Sequence, residues 1–369
     1  MTTNAPHSSH AETIVAQQAS QLEQLQTELP GVCREFLNGI ADTVTIKTRL
    51  AYAYDLRVFF RYLVENAFDF QGQDARDVQP EQLDKLTQRE LERYQQYLTR
   101  YKAPIAADTK ADDPATIIHS SYRDNAAPGK MRKMSSLRSF FQYLFTHQYI
   151  NANRVSLISL PKLREKPIIH LEPDEAARLL DLTETGEALT PHQMAYHESL
   201  GKRDTAMLTL MLGTGIRVSE CVGINLEDVN FEENAFRVTR KGGDQAILYF
   251  SDEVAAAVRA YMEERKLIPP LPGHENALFL SLQRRRITPR AVENLTKKYA
   301  RTAAPLKKIT PHKLRSTYGT QLYKESGDIY LVADVLGHSD VNTTRKHYAA
   351  QKDDRRRKAS TMVKLRDDH

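Results

Sequence analysis

The sequence predicts a mostly α-helical protein with a small β-sheet, organised in two domains. Amphipathic segments, with apolar residues at a period of about 3.6, dominate the first 150 residues and predict helices. Two β-type runs flank a Gly-Gly pair at Gly242 and Gly243, which indicates one hairpin in the second half. A basic stretch with two prolines separates the halves and predicts a linker.

Length and composition exclude several classes of protein. The 369 residues suffice for more than one core, and 41% hydrophobic with 27% charged residues is typical of soluble globular proteins. No run of about 18 apolar residues is present, so no membrane span is expected. Met1 to His10 is polar and does not resemble a secretory signal. Cys33 and Cys221 lack CxxC spacing, so we expect a cytoplasmic protein without a disulfide framework or zinc site.

Positive charge is concentrated in the last third of the chain. The net charge is +5, but residues 251–369 carry 24 Lys and Arg against 14 Asp and Glu. This imbalance favours a polyanionic partner such as DNA, with a solvated basic face as the alternative.

The first domain is predicted at residues 1–150, as a helical binding module. It holds neither a cluster of Asp, Glu and His nor a Gly-rich phosphate loop. The pattern predicts helices at residues 11–28, 48–66, 86–101 and 129–147, with a loop or insertion at 103–128. Residues 151–169 form the predicted basic linker, which either follows DNA phosphates or is simply solvated.

The second domain is predicted at residues 170–350, followed by a C-terminal segment at 351–369. We expect helices at 172–182, 201–212 and 252–266, a helical turn at 217–222, strands at 235–239 and 246–250, a helix starting at 288 and a polar loop at 183–200. The run Arg355 to Lys358 in the last segment either contacts phosphates or is part of a solvated tail.

Candidate chemistry begins at the run Thr310-Pro-His312-Lys-Leu-Arg315. Thr followed by Pro predicts a helix start, which places His312 and Arg315 on one face near a helix N-terminus. Such an end attracts anions, the arginine fork can bind two phosphate oxygens, and a histidine accepts protons near neutral pH. An ordinary surface helix is the alternative.

Two further cations lie upstream. In Gly213-Thr-Gly215-Ile-Arg217-Val-Ser-Glu220, the glycines permit a tight turn into a short helix that begins near Arg217. Glu220 lies one turn later, where it either orients a cation at the site or forms a simple ion pair. Lys241 lies on the predicted hairpin and either protonates a leaving alkoxide or is an ordinary exposed lysine.

A histidine and a tyrosine complete the set. Leu336-Gly-His338 places a histidine just after a Gly-terminated helix, where it can donate a hydrogen bond to a phosphate oxygen. Tyr348 follows ten residues later as a candidate nucleophile. Nearby competitors for that role are Tyr318, Tyr323 and Tyr330.

In this order, these motifs resemble the tyrosine recombinases of the phage integrase family, strongly over residues 170–350 and more weakly in the helical N-terminal part. The resemblance implies a helical core-binding domain and an α+β catalytic domain. It also implies these roles: phosphate clamps at Arg217 and Arg315, a support for them at Glu220, a general acid at Lys241, two site histidines at His312 and His338, and the nucleophile at Tyr348.

The implied reaction is attack by Tyr348 on a DNA phosphate, which gives a 3′-phosphotyrosine without cofactor, metal or ATP. The implied assembly is a homotetramer on two specific duplex DNA sites, with residues 351–369 as the candidate contact to a neighbouring subunit. An accessory protein is left open. Two positions depart from the family pattern. Ser316 stands where histidine is common, and the spacing from His338 to Tyr348 is one residue longer than in many members.

The subfamily is less sharply defined. The chain is most similar to stand-alone Xer-type recombinases, which resolve chromosome dimers. An integrase or excisionase of a phage or mobile element is the alternative. A type IB topoisomerase and an inactive DNA-binding relative are lower alternatives, and the filled catalytic positions argue against the latter.

Overall fold

A computed structural model describes residues 10–102, 122–161, 168–187, 189–240, 243–337 and 341. The chain divides into two compact units, residues 1–165 and 166–369, each with its own hydrophobic core. The prediction of a mostly helical protein with a small β-sheet is confirmed. Among the described residues, no helix combines the length and apolar character that a membrane span needs.

The first unit is helical, with one short antiparallel strand pair. Its helices are α1 (His10–Gln26), α2 (Gly31–Gly39), α3 (Ile46–Asn66), α4 (Pro80–Lys85), α5 (Gln88–Tyr97) and α6 (Ala127–Thr146), and its strands are β1 (Arg100–Lys102) and β2 (Tyr122–Asp124). The strand pair was not predicted. Residues 103–121 lie outside the described residues, and the segment predicted as a loop is therefore structured from Tyr122 onward.

Helix α3 lies at the centre of the first unit, packed against α1 and α6. Buried phenylalanines from α2, α3 and α6 meet edge to face in its core. The carboxylate of Asp55 on α3 is buried and accepts hydrogen bonds from Arg132 (2.5 and 2.7 Å) and Ser136 (2.7 Å) on α6. These bonds satisfy a charge that would otherwise be costly to bury.

The start of the predicted linker packs on the first unit. Residues Arg154–Leu157 form a 3₁₀ helix, and Val155 and Ile158 are buried in the core. The side-chain amide of Asn151 donates to the Asp84 carboxylate at 2.7 Å. Residues 151–160 are thus polar in composition but contribute two apolar side chains to the core of the first unit. Residues 162–167 of the predicted linker lie outside the described residues.

The second unit contains the small sheet and the remaining helices. The helices are α7 (Pro173–Thr185), α8 (Pro191–Thr214), α9 (Val218–Gly223), α10 (Asp252–Arg265), α11 (Pro289–Ala303), α12 (Pro311–Ser326) and α13 (Ile329–Leu336), and the strands are β3 (Val229–Asn230), β4 (Ala235–Thr239) and β5 (Gln245–Tyr249). The sheet is antiparallel in the order β3-β4-β5. The predicted hairpin is present, with Thr239 opposite Gln245, and residues 241–242 of its turn lie outside the described residues.

The predicted polar loop at residues 183–200 is wrong, because α8 begins at Pro191. Thr190 and Gln193 form a reciprocal cap: the Gln193 N–H donates to Thr190 Oγ1 (3.3 Å), and the Thr190 N–H donates to Gln193 Oε1 (3.1 Å). Such a cap satisfies N–H groups that have no partner inside the helix. The first turns of α8 are polar because they are largely exposed, not because they are irregular.

Helix α8 is the centre of the second unit and packs against α7, α10 and α12. A buried carboxylate, Asp204, fixes α8 to α11. Arg203 donates to its Oδ1 (2.6 Å), and Lys298 and Tyr299 donate to its Oδ2 (3.1 and 3.2 Å). Burial and the charge of Asp204 raise the pKa of Tyr299, which keeps that phenol neutral as a donor.

Helices α12 and α13 enclose a small third apolar cluster of their own. Its buried members are Tyr323, Val332 and Leu336, with Tyr318, Leu322 and Ile329 packed around them. The main core of the second unit is separate from this cluster. The position of α13 therefore depends on few apolar contacts and on the polar contacts described below.

Each unit contains one cysteine at its centre, which gives a test of both cores. Cys33 and Cys221 are fully buried, and burial raises the pKa of both thiols, that of Cys221 to about 12. Because thiolate is the reactive form, we expect no labelling of the folded protein by a thiol-specific disulfide reagent at about pH 8. Both thiols should react in concentrated urea, and peptide mapping would assign each one. Fast labelling of either thiol in the folded protein would contradict the packing of that unit.

Candidate active site

The site starts where α8 ends in a tight turn. Gly215 has φ +63°, a conformation that favours glycine, and its N–H donates to the Met211 carbonyl at 3.1 Å. The Thr214 hydroxyl accepts from the Ile216 N–H at 3.3 Å. The chain thus leaves α8 and enters α9 within three residues, with Arg217 directly before the first residue of α9.

Glu220 holds Arg217 in two ways. Its carboxylate is nearly buried, with a side chain 4% exposed. It accepts from the Arg217 main-chain N–H at 3.0 Å and from the Arg217 Nη1 at 2.7 Å. The ion pair at the helix end is therefore present, and the role of Glu220 in orienting a cation of the site stays a prediction.

Arg315 is reached from α12. That helix begins at Pro311 as predicted, although the side chain of Thr310 makes no capping hydrogen bond. Arg315 is buried and donates from Nη1 to the Gly215 carbonyl at 2.7 Å and from Nη2 to the Leu336 carbonyl. It therefore connects the turn after α8 with the end of α13.

The two arginines converge on consecutive carbonyls. Arg217 Nη2 donates to the Gly337 carbonyl at 2.7 Å, directly after the Leu336 carbonyl that accepts from Arg315. The last carbonyls of a helix lack partners within the helix and form the negative end of its dipole. The end of α13 therefore stabilises two cations that come from sequence positions about 100 residues apart.

His312 lies one turn before Arg315 on α12 and is exposed. Residues three apart on a helix share a face, as the sequence predicted. The Ser316 hydroxyl, at the position that departs from the family pattern, donates to the His312 carbonyl at 3.0 Å. The Ser316 hydroxyl thus makes a hydrogen bond within α12.

The remaining predicted residues divide into two groups. Arg217, Glu220, His312 and Arg315 are described, whereas Lys241, His338, Tyr348 and the predicted C-terminal segment 351–369 lie outside the described residues. Of the competing tyrosines, Tyr323 is buried, Tyr330 is 70% exposed, and burial raises the pKa of Tyr318. In the described ranges, no three His, Cys, Asp or Glu side chains are placed to hold a metal ion.

Sequence reasoning missed the acceptors of the site and one neighbour. The acceptors are the main-chain carbonyls of Gly215, Leu336 and Gly337, and carbonyls carry no signal of residue type. The neighbour is Arg240, whose guanidinium lies against Gly337. Its position directly before Lys241 was the available signal, but it also fits a solvated hairpin.

All the predicted site residues lie in a part of the sequence that matches a known protein family. Residues 170–355 match the model of the phage integrase family. A protein of Caldanaerobacter subterraneus subsp. tengcongensis named tyrosine recombinase XerC is 32% identical over 349 residues, which cover 90% of this chain and 86% of that protein. The chain belongs to the phage integrase family. It is a tyrosine recombinase, an enzyme that cuts and rejoins DNA, which confirms the resemblance drawn from the motifs.

A second relative is similar in sequence, and two solved structures are similar in fold. The tyrosine recombinase XerC of Psychromonas ingrahamii is 35% identical over 214 residues, covering 58% of this chain and 67% of that protein. In fold, the recombinase is similar to XerH bound to a palindromic difH substrate (TM-score 0.62, 18% identity, 92% of this chain and 84% of that chain). It is also similar to a lambda integrase fragment bound to a core site (TM-score 0.57, 16% identity, 85% and 92%).

We predict that Gly215→Ala destabilises the second unit of this recombinase. A β-carbon at Gly215 would lie 2.5 Å from Cδ1 of Tyr318 and 2.8 Å from Cδ2 of Leu336, at φ +63°. Backbone strain of this kind costs about 1–3 kcal/mol. Gly223→Ala is the matched control, because nothing lies within 4 Å of a β-carbon there. Urea denaturation measures both variants, and equal stability would contradict the packing of the site.

Proposed function

We propose that this recombinase exchanges DNA strands at specific sites through a 3′-phosphotyrosine formed at Tyr348. The proposal is supported most directly by the convergence of Arg217 and Arg315 on the end of α13. Two cations held in one place, with Glu220 as the carboxylate bound to Arg217, favour a bound anion. XerH bound to a palindromic difH substrate and lambda integrase bound to a core site suggest the chemical class, and we propose that the anion is a phosphate of DNA.

The arginines act as a clamp on the scissile phosphate. Arg217 is one-third exposed, and its bonds to Glu220 and to the Gly337 carbonyl leave N–H groups that can turn toward a ligand. Arg315 is fixed from behind by two carbonyls. Because these contacts form during folding, the donors need little reorganisation when charge develops on the phosphorane.

In the first chemical step the Tyr348 oxygen forms a bond to phosphorus, and the bond from phosphorus to the 5′ oxygen breaks. His312 accepts the phenolic proton, Lys241 donates a proton to the leaving 5′ oxygen, and His338 donates a hydrogen bond to a non-bridging oxygen. A 5′-hydroxyl of a second strand then attacks the phosphotyrosine and restores a phosphodiester. The bond energy is conserved in the covalent intermediate, so the exchange requires neither ATP nor a metal ion.

The proposed assembly is a homotetramer on two paired sites, with segment 351–369 as the candidate contact between subunits. The proposed biological role is resolution of chromosome dimers, and it is supported by relatives named XerC. An accessory protein that sets direction is compatible with this role. Excision or integration of a mobile element is the second candidate, since the fold is equally similar to the Tn1549 transposon integrase (TM-score 0.60).

The nucleophile can be tested by trapping. Duplexes with a randomised centre and a nick release a short 5′-hydroxyl fragment after cleavage, so the protein stays covalently bound to the DNA. We expect wild-type protein to form an adduct that survives denaturation, and sequencing of the trapped DNA defines the site. Tyr348→Phe should form none, because it lacks the attacking oxygen.

Tyr330→Phe is the matched control, since Tyr330 is an exposed tyrosine of α13. It should form adduct at the wild-type rate. Adduct formed by Tyr348→Phe would remove Tyr348 as nucleophile and turn attention to Tyr318 and Tyr323. Mapping the trapped sequence to its genome separates the two roles, because one site per chromosome favours dimer resolution and sites at element ends favour integration.

We predict that Arg217→Ala and Arg315→Ala lower the cleavage rate on the trapped duplex by about 100-fold or more, the effect of removing one donor to a developing charge. Arg217→Lys keeps the charge but loses the planar fork, so an intermediate loss is expected. Arg290→Ala is the control, because Arg290 is an exposed arginine paired with Glu293 on α11. Single-turnover cleavage, corrected for folded protein, measures all four.

Wild-type cleavage by Arg217→Ala would contradict the clamp. Relaxation of supercoiled DNA without strand exchange between two sites would identify a type IB topoisomerase instead. Adduct-free binding of duplex DNA by the wild type would identify the inactive relative.

A further inference from the structure

Arg240 lies against the end of α13, although it comes from a different part of the second unit. It follows the last residue of β4, where its N–H donates to the Asp244 carbonyl at 2.7 Å and its carbonyl accepts from the Gly243 N–H at 3.1 Å. Its guanidinium reaches Gly337. A β-carbon on Gly337 would lie 2.5 Å from both Cζ and Nη1 of Arg240 and 2.9 Å from Nε.

These three similar distances mean that the guanidinium covers the α-carbon of Gly337 instead of pointing at it. Gly337 has φ +58° and ends α13. Its missing side chain leaves the space that Arg240 occupies. The main-chain carbonyl of the same residue accepts from Arg217. Gly337 is therefore in contact with two arginines, one at its carbonyl and one at its α-carbon.

The charge of Arg240 is not neutralised within the described part of the chain. Its side chain is half-buried, and no carboxylate or carbonyl of the described residues accepts a hydrogen bond from its guanidinium. Other half-buried arginines of the second unit do have acceptors. Arg286, for example, donates to the carbonyls of Val222 and Ile224, each at 2.9 Å. A stacked guanidinium keeps its N–H groups at its edges, where they can bind an external acceptor.

Three guanidiniums, those of Arg217, Arg240 and Arg315, thus surround Leu336 and Gly337, and Glu220 is the carboxylate bound to one of them. Like charges that converge on two consecutive residues repel one another, and a bound anion offsets the repulsion. Arg217 donates to the Gly337 carbonyl and Arg315 to the carbonyls of Gly215 and Leu336, whereas Arg240 lies on the α-carbon of Gly337. The position of Arg240 suits a phosphate beside the one that the clamp would hold.

We infer that Arg240 is a third phosphate-binding arginine of this recombinase, and that it contacts a non-reacting DNA phosphate flanking the scissile one. This inference rests on the proposed function of the site. Arg240 then fixes the position of the strand relative to the clamp. It is a binding residue at the edge of the reacting centre, without a role in proton transfer.

Salt dependence of binding tests this inference. A protein that loses one phosphate contact loses about 0.9 from the slope of log affinity against log salt concentration. Arg240→Met keeps an unbranched chain over Gly337 and removes the charge. We expect it to bind the trapped duplex on the order of tenfold more weakly at low salt, with a slope smaller by about 0.9. Arg240→Lys should keep the slope.

Arg237→Met is the matched control. Arg237 lies on the same strand β4, is about half exposed and donates to Asp228 at 3.0 Å. Its slope should equal that of the wild type. A thermal unfolding midpoint for each variant establishes that the proteins are folded. An unchanged slope in Arg240→Met, or an equal change in Arg237→Met, would overturn the inference.

A second measurement uses DNA in which one phosphate at a time is replaced by a neutral methylphosphonate. We expect one flanking position at which the replacement weakens wild-type binding but has no further effect on Arg240→Met. The wild-type part of this scan needs no variant, so it holds if Arg240→Met misfolds. Weakening at no flanking position, or coupling at the scissile phosphate alone, would overturn the inference.

Failure of the proposed function has a different signature. In that case wild-type protein forms no covalent adduct with any duplex of the pool. If the wild type forms adduct normally and Arg240→Met leaves the salt-dependence slope unchanged, only the role of Arg240 is rejected and the proposed function stands.

Discussion

Two arginines donate to the last carbonyls of one short helix, and the arrangement of the second unit around the site depends on these bonds. Arg217 and Arg315 come from separate helix starts, yet they bind Gly337 and Leu336. Arg315 also binds the Gly215 carbonyl, so the end of α8, the start of α12 and the end of α13 are fixed together. Since a helix end carries partial negative charge, the cations and the helix stabilise each other.

The same bonds explain how positive charge is maintained before DNA is present. Glu220 neutralises part of Arg217 and also holds its main chain. The carbonyls supply dipoles without adding another negative charge that would compete with a phosphate. A carboxylate in their place would bind the arginines more strongly but would repel the substrate. Dipoles therefore allow the arginines to be both ordered and available to an anion.

The fold class could be predicted from the sequence because periodicity and turn residues reflect local structure directly. The hairpin followed from Gly242 and Gly243, and the family from the order of motifs around Arg217 and Arg315. The start of α8 was predicted wrongly because an exposed helix face is as polar as a loop, and only the Thr190–Gln193 cap distinguishes the two there. The carbonyl acceptors could not be predicted from the sequence, since every residue has a carbonyl. Tertiary packing alone determines which carbonyls accept from the arginines.

Helix α13 has eight residues and shares a small apolar cluster with α12, apart from the main core. Short elements with few buried contacts open more easily than the protein as a whole. Each opening would release Arg217 and Arg315 from their acceptors while α8 and its core stay folded. On the role proposed for these arginines, strand cleavage would then fail at a temperature below that of global unfolding. Cleavage competence and overall stability are to that extent separate properties, and each can change without the other.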